Sequence, residues 1–331
     1  MRILVTGGAG FIGSNFAYYI RKHRPDWEIV VFDCLTYAGN IHNLDKLDNK
    51  NYKFIKGNIC DSKAINTAVA NSDIVVNFAA ESHVDNSIRE PWPFIETNLV
   101  GTYRLLEAVK KHDKRLHHIS TDEVFGDLQL SDPKFDETSP NNPSSPYSAT
   151  KAGSDHLVRA WIRSYGIKAT LSNCSNNYGP YQHVEKMIPR NITEILEGRK
   201  PKLYGSGANI RDWIHVDDHN AAILAIIEKG KIGETYMIGA DGEKSNKEIF
   251  QLILELMGKD TDWYVTVKDR PGHDLRYAIN SSKIRSELGW APKYTDMRDG
   301  LKATIDWYVS NKDWWEPQKS RTEAMYKQVN H

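Results

Sequence analysis

Short apolar runs alternate with amphipathic stretches through the first half of the chain. Arg2-Ile3-Leu4-Val5-Thr6 is an unbroken apolar run of the kind buried on both faces of a parallel sheet, and an apolar-periodic helical segment follows it through Ile20. Glu28–Asp33, Tyr52–Lys56, Asp73–Phe78, Leu116–Ser120 and Lys168–Ser172 read as further strands. Helical patterns fill the gaps at about Asp61–Ala70 and Trp92–Lys111, and another begins at Pro146, where a preceding serine offers a cap and the proline suits the first helical position. Strands alternating with helices predict an α/β fold built on a doubly wound parallel sheet, with ligands at the carboxyl ends of its strands.

After Gly179-Pro180 the alternation loosens. Pro201–Gly207 is turn-rich, Asp217–Glu228 is helical, and Thr235–Ile238 is a strand expected to return to the main sheet. Glu248–Met257 and Gly300–Val309 are amphipathic helices, while Trp307, Trp314 and Trp315 fit core or interface packing. The expected division is a nucleotide-binding domain of residues 1–178 with about 212–238, and a smaller α/β substrate-binding lobe of 179–211 and 239–331.

Composition narrows the class. Lys+Arg and Asp+Glu are both 43 in 331 residues, so no net field draws the chain to nucleic acid or an anionic membrane. No apolar run approaches the roughly 20 residues needed to span a bilayer, and the first residues enter a strand without a signal peptide's basic and apolar regions. Cys34, Cys60 and Cys174 form neither CxxC pairs nor an even disulfide set, and the 12 histidines show no metal-ligand spacing. These features predict a cytoplasmic enzyme or binding protein without a metal.

Four groups of residues suggest chemistry. Gly7, Gly10 and Gly13 fall between the first strand and first helix, where glycine permits a tight turn and close approach of a pyrophosphate to the backbone. This is the Rossmann arrangement, in which the helix offers its free N–H groups to phosphate. Asp33 ends the second strand, placed to accept from ribose hydroxyls and to repel a 2′-phosphate, which favours NAD over NADP; a turn aspartate is the alternative. Tyr147 and Lys151 are four apart and share a helix face, where a cation could bring the phenol towards a general base's range. By itself that pair also fits an ordinary exposed helix. Asp122 and Glu123 follow a strand end, and can serve one site only if the strand stops near Thr121 and the chain turns. Two carboxyls there would titrate apart, one as acid and one as base. A solvated acidic loop is the other reading.

Gly-Gly-Ala-Gly-Phe-Ile-Gly (7–13), Tyr147-x-x-x-Lys151 and Asn-Asn-Tyr-Gly-Pro (176–180) together resemble the extended short-chain dehydrogenase/reductase family. Thr121-Asp122-Glu123, Ala80-Glu81-Ser82-His83-Val84-Asp85, Arg211–His219 and Asp269–Asp274 narrow the resemblance to its nucleotide-sugar 4,6-dehydratases, over essentially the whole chain. The resemblance implies that Tyr147 removes a C4 hydroxyl proton while NAD⁺ takes hydride, that Lys151 binds the nicotinamide ribose and holds the tyrosine's pKa down, and that Thr121 hydrogen-bonds the C4 oxygen. Glu123 would then take the C5 proton and Asp122 would protonate the departing C6 hydroxyl. For the cofactor it implies Phe11, Ile12, Asp33, Cys34, Leu35, Thr36, Asn58, Ile59, Ala79, Ala80, Ser82, Thr97 and Asn177 beside the glycines, Tyr147 and Lys151. For a thymidine diphosphate-sugar it implies His83, Asn176, Lys186, Met187, Lys202, Leu203, Tyr204, Arg211, Asn246, Asp269, Arg270, His273 and Tyr277. The family's usual aspartate at position 58 is here Asn58, whose amide oxygen can accept the same hydrogen bond. A homodimer through a four-helix bundle of Trp92–Lys111 and Tyr147–Tyr165 is also implied. Related 4-epimerases and decarboxylases need no acidic pair, and a non-catalytic NAD-binding regulator would need neither that pair nor Tyr147.

Overall fold

The computed structural model describes residues 1–48, 50–269 and 274–329. Its first half is strand β1 (Arg2–Thr6), helix α1 (Phe11–His23), β2 (Glu28–Asp33), β3 (Tyr52–Lys56), α2 (Ser62–Ala70), β4 (Ile74–Asn77) and α3 (Val84–Arg89). There follow α4 (Trp92–Phe94), a π-helical segment (Ile95–Gly101), α5 (Thr102–Lys111), β5 (Arg115–Thr121), a 3₁₀ turn (Asp122–Phe125), α6 (Pro146–Tyr165) and β6 (Lys168–Cys174). The second half contains β7 (Asn176–Tyr178), α7 (Met187–Leu196), β8 (Lys202–Tyr204), β9 (Ile210–His215), α8 (Val216–Lys229), β10 (Thr235–Ile238), β11 (Glu243–Ser245) and α9 (Asn246–Leu256). It closes with β12 (Val265–Val267), α10 (Ser282–Leu288), α11 (Met297–Ser310) and α12 (Lys312–Val329).

Seven strands form one sheet in the order β10-β6-β5-β4-β1-β2-β3, every neighbouring pair parallel. Successive side chains of a strand face opposite sides, so both sides bury a core. Ile3, Val5, Ile29 and Val31 join the cluster that includes Phe16 of α1 and Ile223 of α8. Leu4, Val30, Phe32 and Val75 join the opposite one with Ile65, Leu105 and Val158. The strand order reverses between β1 and β4, which opens the crevice where such sheets bind ligands. A third cluster, with Tyr178, Ile192, Trp213, Ile253, Leu301 and Trp315, is the core under the three-stranded sheet β11-β9-β7.

Local signals hold where they were strongest. Ser145 caps α6 through a capping box with Ser148, Pro146 opens the helix, and Gly166 closes it at φ 66°. Thr235–Ile238 returns to the main sheet beside β6. Two expectations change. Lys202–Tyr204, inside the supposed turn, is a strand because Val265–Val267 pairs with it in parallel. The helix expected over Trp92–Lys111 carries a π-helical insertion, which turns the Asn98 side chain inward. Asn98 accepts from the Glu81 backbone N–H at 3.0 Å and donates to the Glu81 carbonyl at 3.1 Å and the Thr150 hydroxyl at 3.0 Å. It thereby joins this helix to the end of β4 and to α6.

Candidate active site

The carboxyl ends of β1, β2, β4, β5, β6 and β7 open into one cleft of about 340 Å³. At its floor Gly7 adopts φ +68°, and a Cβ there would lie 2.6 Å from the backbone nitrogen of Ala79. A Cβ on Gly13 would lie 2.5 Å from the Gly7 carbonyl oxygen. The turn therefore brings two strand ends and a helix start into backbone contact, and α1 begins there without a side-chain cap or an acidic residue in its first turn. Asp33 accepts from the backbone N–H groups of Ala9 at 2.9 Å and Leu35 at 2.8 Å, which fixes its carboxylate on the cleft wall. Asn58 lines the same wall, and its side-chain oxygen accepts from the Cys60 N–H at 2.9 Å, leaving one lone pair for a ligand. Buried side-chain oxygens of Ser175, Asn176 and Asn177 have no protein partner at the end of β6. Glycine cradle, carboxylate and unpartnered polar oxygens together fit a dinucleotide.

The strand β5 ends at Thr121, and the next residues turn at once. Thr121 caps the 3₁₀ turn, accepting from the Glu123 N–H at 3.3 Å and donating to Asp122 at 3.3 Å. The turn lets adjacent Asp122 and Glu123 line one cleft with Tyr147 and Lys151. Asp122 is 1% exposed, and its second carboxyl oxygen has no partner. Burial, then the Glu123 and Asp212 carboxylates, push it well above the usual carboxylate range, towards its neutral form. Burial also pushes the Tyr147 phenol up, Glu123 adds to that, and a hydrogen bond with Thr121 works against both. Lys151 donates to the Ile119 carbonyl at 2.8 Å, and burial lowers its pKa.

Of the residues the motifs pointed to, the glycines, Phe11, Ile12, Asp33, Cys34, Thr36, Asn58, Ile59, Ala79, Ala80, Ser82, Thr97, Thr121–Glu123, Tyr147, Lys151, Asn176, Asn177 and Lys186 line this cleft. Leu35 stands behind Asp33, held at φ 57° by its backbone hydrogen bond. His83 caps α3 beside the cleft, 3.7 Å from Glu185. Met187 begins α7. The remaining substrate candidates gather elsewhere. Lys202 and Tyr204 are exposed on β8 with Leu203 buried between them, Asn246 opens α9, and Asp269 packs against Gly205. Arg211 and Tyr277 lie between that corner and the cleft: the guanidinium stacks 4.3 Å from the ring and donates to the Asp274 carbonyl at 3.0 Å. The Arg211 charge acts on Asp122 and that of Glu123 on Tyr277, which joins this pair electrostatically to the acidic turn. Arg270 and His273 lie outside the described residues.

The motifs do not single out Tyr37, Gln182, His183 or Glu185, which also line the cleft, and they include Glu81 only within Ala80–Asp85. Burial raises Glu81 to about 7. Their one sequence signal is position just beyond a strand end. Among the described residues, Glu194, Glu197 and Glu323 bring carboxylate oxygens within 4.8 Å of one another, but Arg199 and Lys319 pair with them far from the cleft lining.

The model of the GDP-mannose 4,6 dehydratase family matches residues 4–304. A dTDP-glucose 4,6-dehydratase of Mycobacterium tuberculosis (strain ATCC 25618 / H37Rv) is 57% identical over 329 residues, 99% of each chain. The solved structure of a dTDP-glucose 4,6-dehydratase from Streptomyces venezuelae, with NAD bound, superposes at a TM-score of 0.92 with 45% identity, covering 96% of this chain and 100% of that one. That of the Bacillus anthracis str. Ames enzyme of the same name, also with NAD, gives 0.90 and 46%, covering 96% and 99%.

The buried acid has a thermodynamic signature. Below about pH 4 the folded and unfolded chains both keep the Asp122 proton. As pH rises the unfolded chain releases it and the fold does not, so the protein loses stability up to the raised folded pKa. Asp122→Asn removes that loss. The variant's melting temperature relative to the parent should therefore climb as pH rises above about 4; a constant difference would mean that the fold does not raise the Asp122 pKa.

Proposed function

The chain belongs to the dTDP-glucose 4,6-dehydratase family, and from that premise we infer that it converts dTDP-glucose to dTDP-4-keto-6-deoxyglucose and water. The observation that carries the reading is the buried Asp122, held above the usual carboxylate range beside Glu123, in one cleft with Tyr147 and Lys151. A 4-epimerase has no use for that acid and base. The glycine cradle and Asp33 fit NAD, which when bound accepts hydride from C4 and gives it back to C6.

Around that exchange the chain's own groups move protons. Tyr147 takes the proton of the C4 hydroxyl, while Thr121 hydrogen-bonds the same oxygen. With C4 a ketone the C5 proton is acidic; before oxidation the carbanion would be too unstable to form. Glu123 removes the C5 proton, and Asp122 gives its proton to the departing C6 hydroxyl, so one water leaves. We assign the pyrophosphate to Arg211, whose planar fork of donors suits it and which lies between the acidic turn and the β8–α9 corner. The preference for thymidine follows the relatives, and the product is a precursor of dTDP-rhamnose and other deoxysugars. Three free thiols suit a reducing cytoplasm.

We also propose a homodimer through the helices of Trp92–Lys111 and α6. Trp92 is 61% and Ile88 58% exposed, and Ile95, Tyr103 and Tyr165 add further exposed apolar surface. Two copies related by a two-fold axis would cover this face with a four-helix bundle.

Substrate deuterated at C4 should yield product deuterated in the C6 methyl group, because the hydride does not exchange with solvent. Reaction in D₂O should place deuterium at C5. Mass spectrometry and proton NMR distinguish these positions, and a methyl group without the C4 label would defeat the mechanism.

Glu123→Gln should lower turnover by about 10²–10⁴, the usual contribution of a positioned base. It should also end the C5 exchange; exchange persisting at the parent rate would move the base elsewhere.

Sedimentation should give twice the 37.8 kDa chain mass. Trp92→Glu combined with Tyr103→Glu should give the single mass. A parent protein that sediments as one chain would discard the bundle.

A further inference from the structure

Behind Tyr147 and Lys151 lies a buried polar network that the reaction as written does not use. Asp155, one helical turn beyond Lys151 on α6, is 1% exposed. One of its oxygens accepts from Asn173 Nδ2 of β6 at 3.2 Å, and the other lies 3.5 Å from His118 Nε2 of β5. Thr6 of β1 donates to Asn77 Oδ1 at 2.6 Å, so the Asn77 amide nitrogen of β4 faces His118 Nδ1, at 3.2 Å. That nitrogen can only donate, which makes Nδ1 the acceptor and puts the imidazole proton on Nε2, towards Asp155 and Ser154. The same Asn173 amide also donates to the Thr121 carbonyl at 3.0 Å. Strands β5 and β6 thus meet α6 at one carboxylate, β1 and β4 fix its histidine neighbour, and the Asn173 amide links it to the strand end at Thr121.

We propose that Asp155 is a positioning residue for the dehydration, the fixed counter-charge that lets Lys151 stay protonated in the dry floor of the site. A carboxylate held this deeply needs a cation, and its hydrogen-bonded neighbours supply none: Asn173 is an amide and His118 is a neutral imidazole. Lys151, at i−4 on the same helix, is the cation within reach. Its ammonium donates to the Ile119 carbonyl at 2.8 Å, which satisfies a hydrogen bond but supplies no charge.

The groups around the pair fit this division. On α6 they are Tyr147 and Asp155, on β5 His118, on β6 Cys174, and on the turn after β5 Asp122 and Glu123. Burial raises Cys174 to about 12, raises Asp122 and Tyr147, and lowers His118, so it pushes each of the four towards its neutral form. Glu123 acts on Tyr147. Burial raises Asp155 as well, but His118, Lys151 and Ser120 more than offset it, so it stays ionised. Burial lowers Lys151, and Asp155 opposes that.

The inference rests on the reading of Lys151 as the cation of the site, and one arm of its test needs no turnover. Asp155→Asn strands a buried ammonium, so at pH 7 it should melt about 6 °C or more below the parent. The deficit should shrink towards about pH 10, because a neutral Lys151 needs no counter-charge. Lys151→Met combined with Asp155→Asn should melt above Asp155→Asn alone. In the catalytic arm, the alkaline limb of kcat/KM for Asp155→Asn should move down by about one pH unit or more. A melting deficit that is independent of pH and unchanged by Lys151→Met would overturn the proposal, as would an unmoved alkaline limb. Should Asp155→Asn not fold, folding of the double variant supports the pairing and its failure to fold overturns it. A parent protein without dehydratase turnover would remove the proposed function but leave the melting result to decide the pairing.

Discussion

The contact between Gly7 and the backbone of Ala79 is the constraint on which the rest of the site depends. It joins the ends of β1 and β4 at the point where the strand order reverses, and any side chain at position 7 would push them apart. With those ends held together, the loop after β4 is anchored by Asn98, and the loop after β2 by Asp33. The cleft is therefore walled by backbone whose hydrogen bonds are already made. That wall is preorganised for a ligand that needs close approach rather than many side chains.

The second requirement is the abrupt end of β5. In a continued strand Asp122 and Glu123 would point to opposite faces of the sheet. Thr121 prevents this by capping a 3₁₀ turn with the same hydroxyl that contacts Asp122. The Asn173 amide holds the Thr121 carbonyl from the neighbouring strand. One residue thus ends the strand, orders the acid and faces the tyrosine, and its position is fixed from two directions.

Burial then separates the roles of chemically similar groups. Asp122 and Asp155 are both aspartates at 1% exposure. Asp122 lies beside other carboxylates and is pushed to its neutral form, while Asp155 lies beside His118 and Lys151 and is held ionised. The difference comes from the neighbours each one meets in the fold: Glu123 of the same turn and Asp212 of β9 for Asp122, Lys151 of the same helix and His118 of β5 for Asp155. It gives one pocket a proton donor and, behind it, a permanent charge.

Much of this was legible in the sequence, because the signals involved are local. The apolar runs of β1 to β6, the glycine spacing at 7, 10 and 13, and the serine–proline start of α6 each act through a few neighbouring residues. The motifs around Tyr147 and Thr121 likewise pointed to the cleft residues that the fold brings together. What the sequence could not contain were effects set by partners distant in the chain. Lys202–Tyr204 became a strand only because Val265–Val267 lies beside it. Asn98 reached Glu81 only through a π-helical insertion that no periodicity announces. Asp155 looks like any polar residue on a helix, and its charge acquires meaning from His118 and Asn173 on two other elements. Local patterning decided which elements form and where their ends meet; the electrostatic character of each group was left to the packing, since burial and neighbouring charge arise only when separate strands close around it.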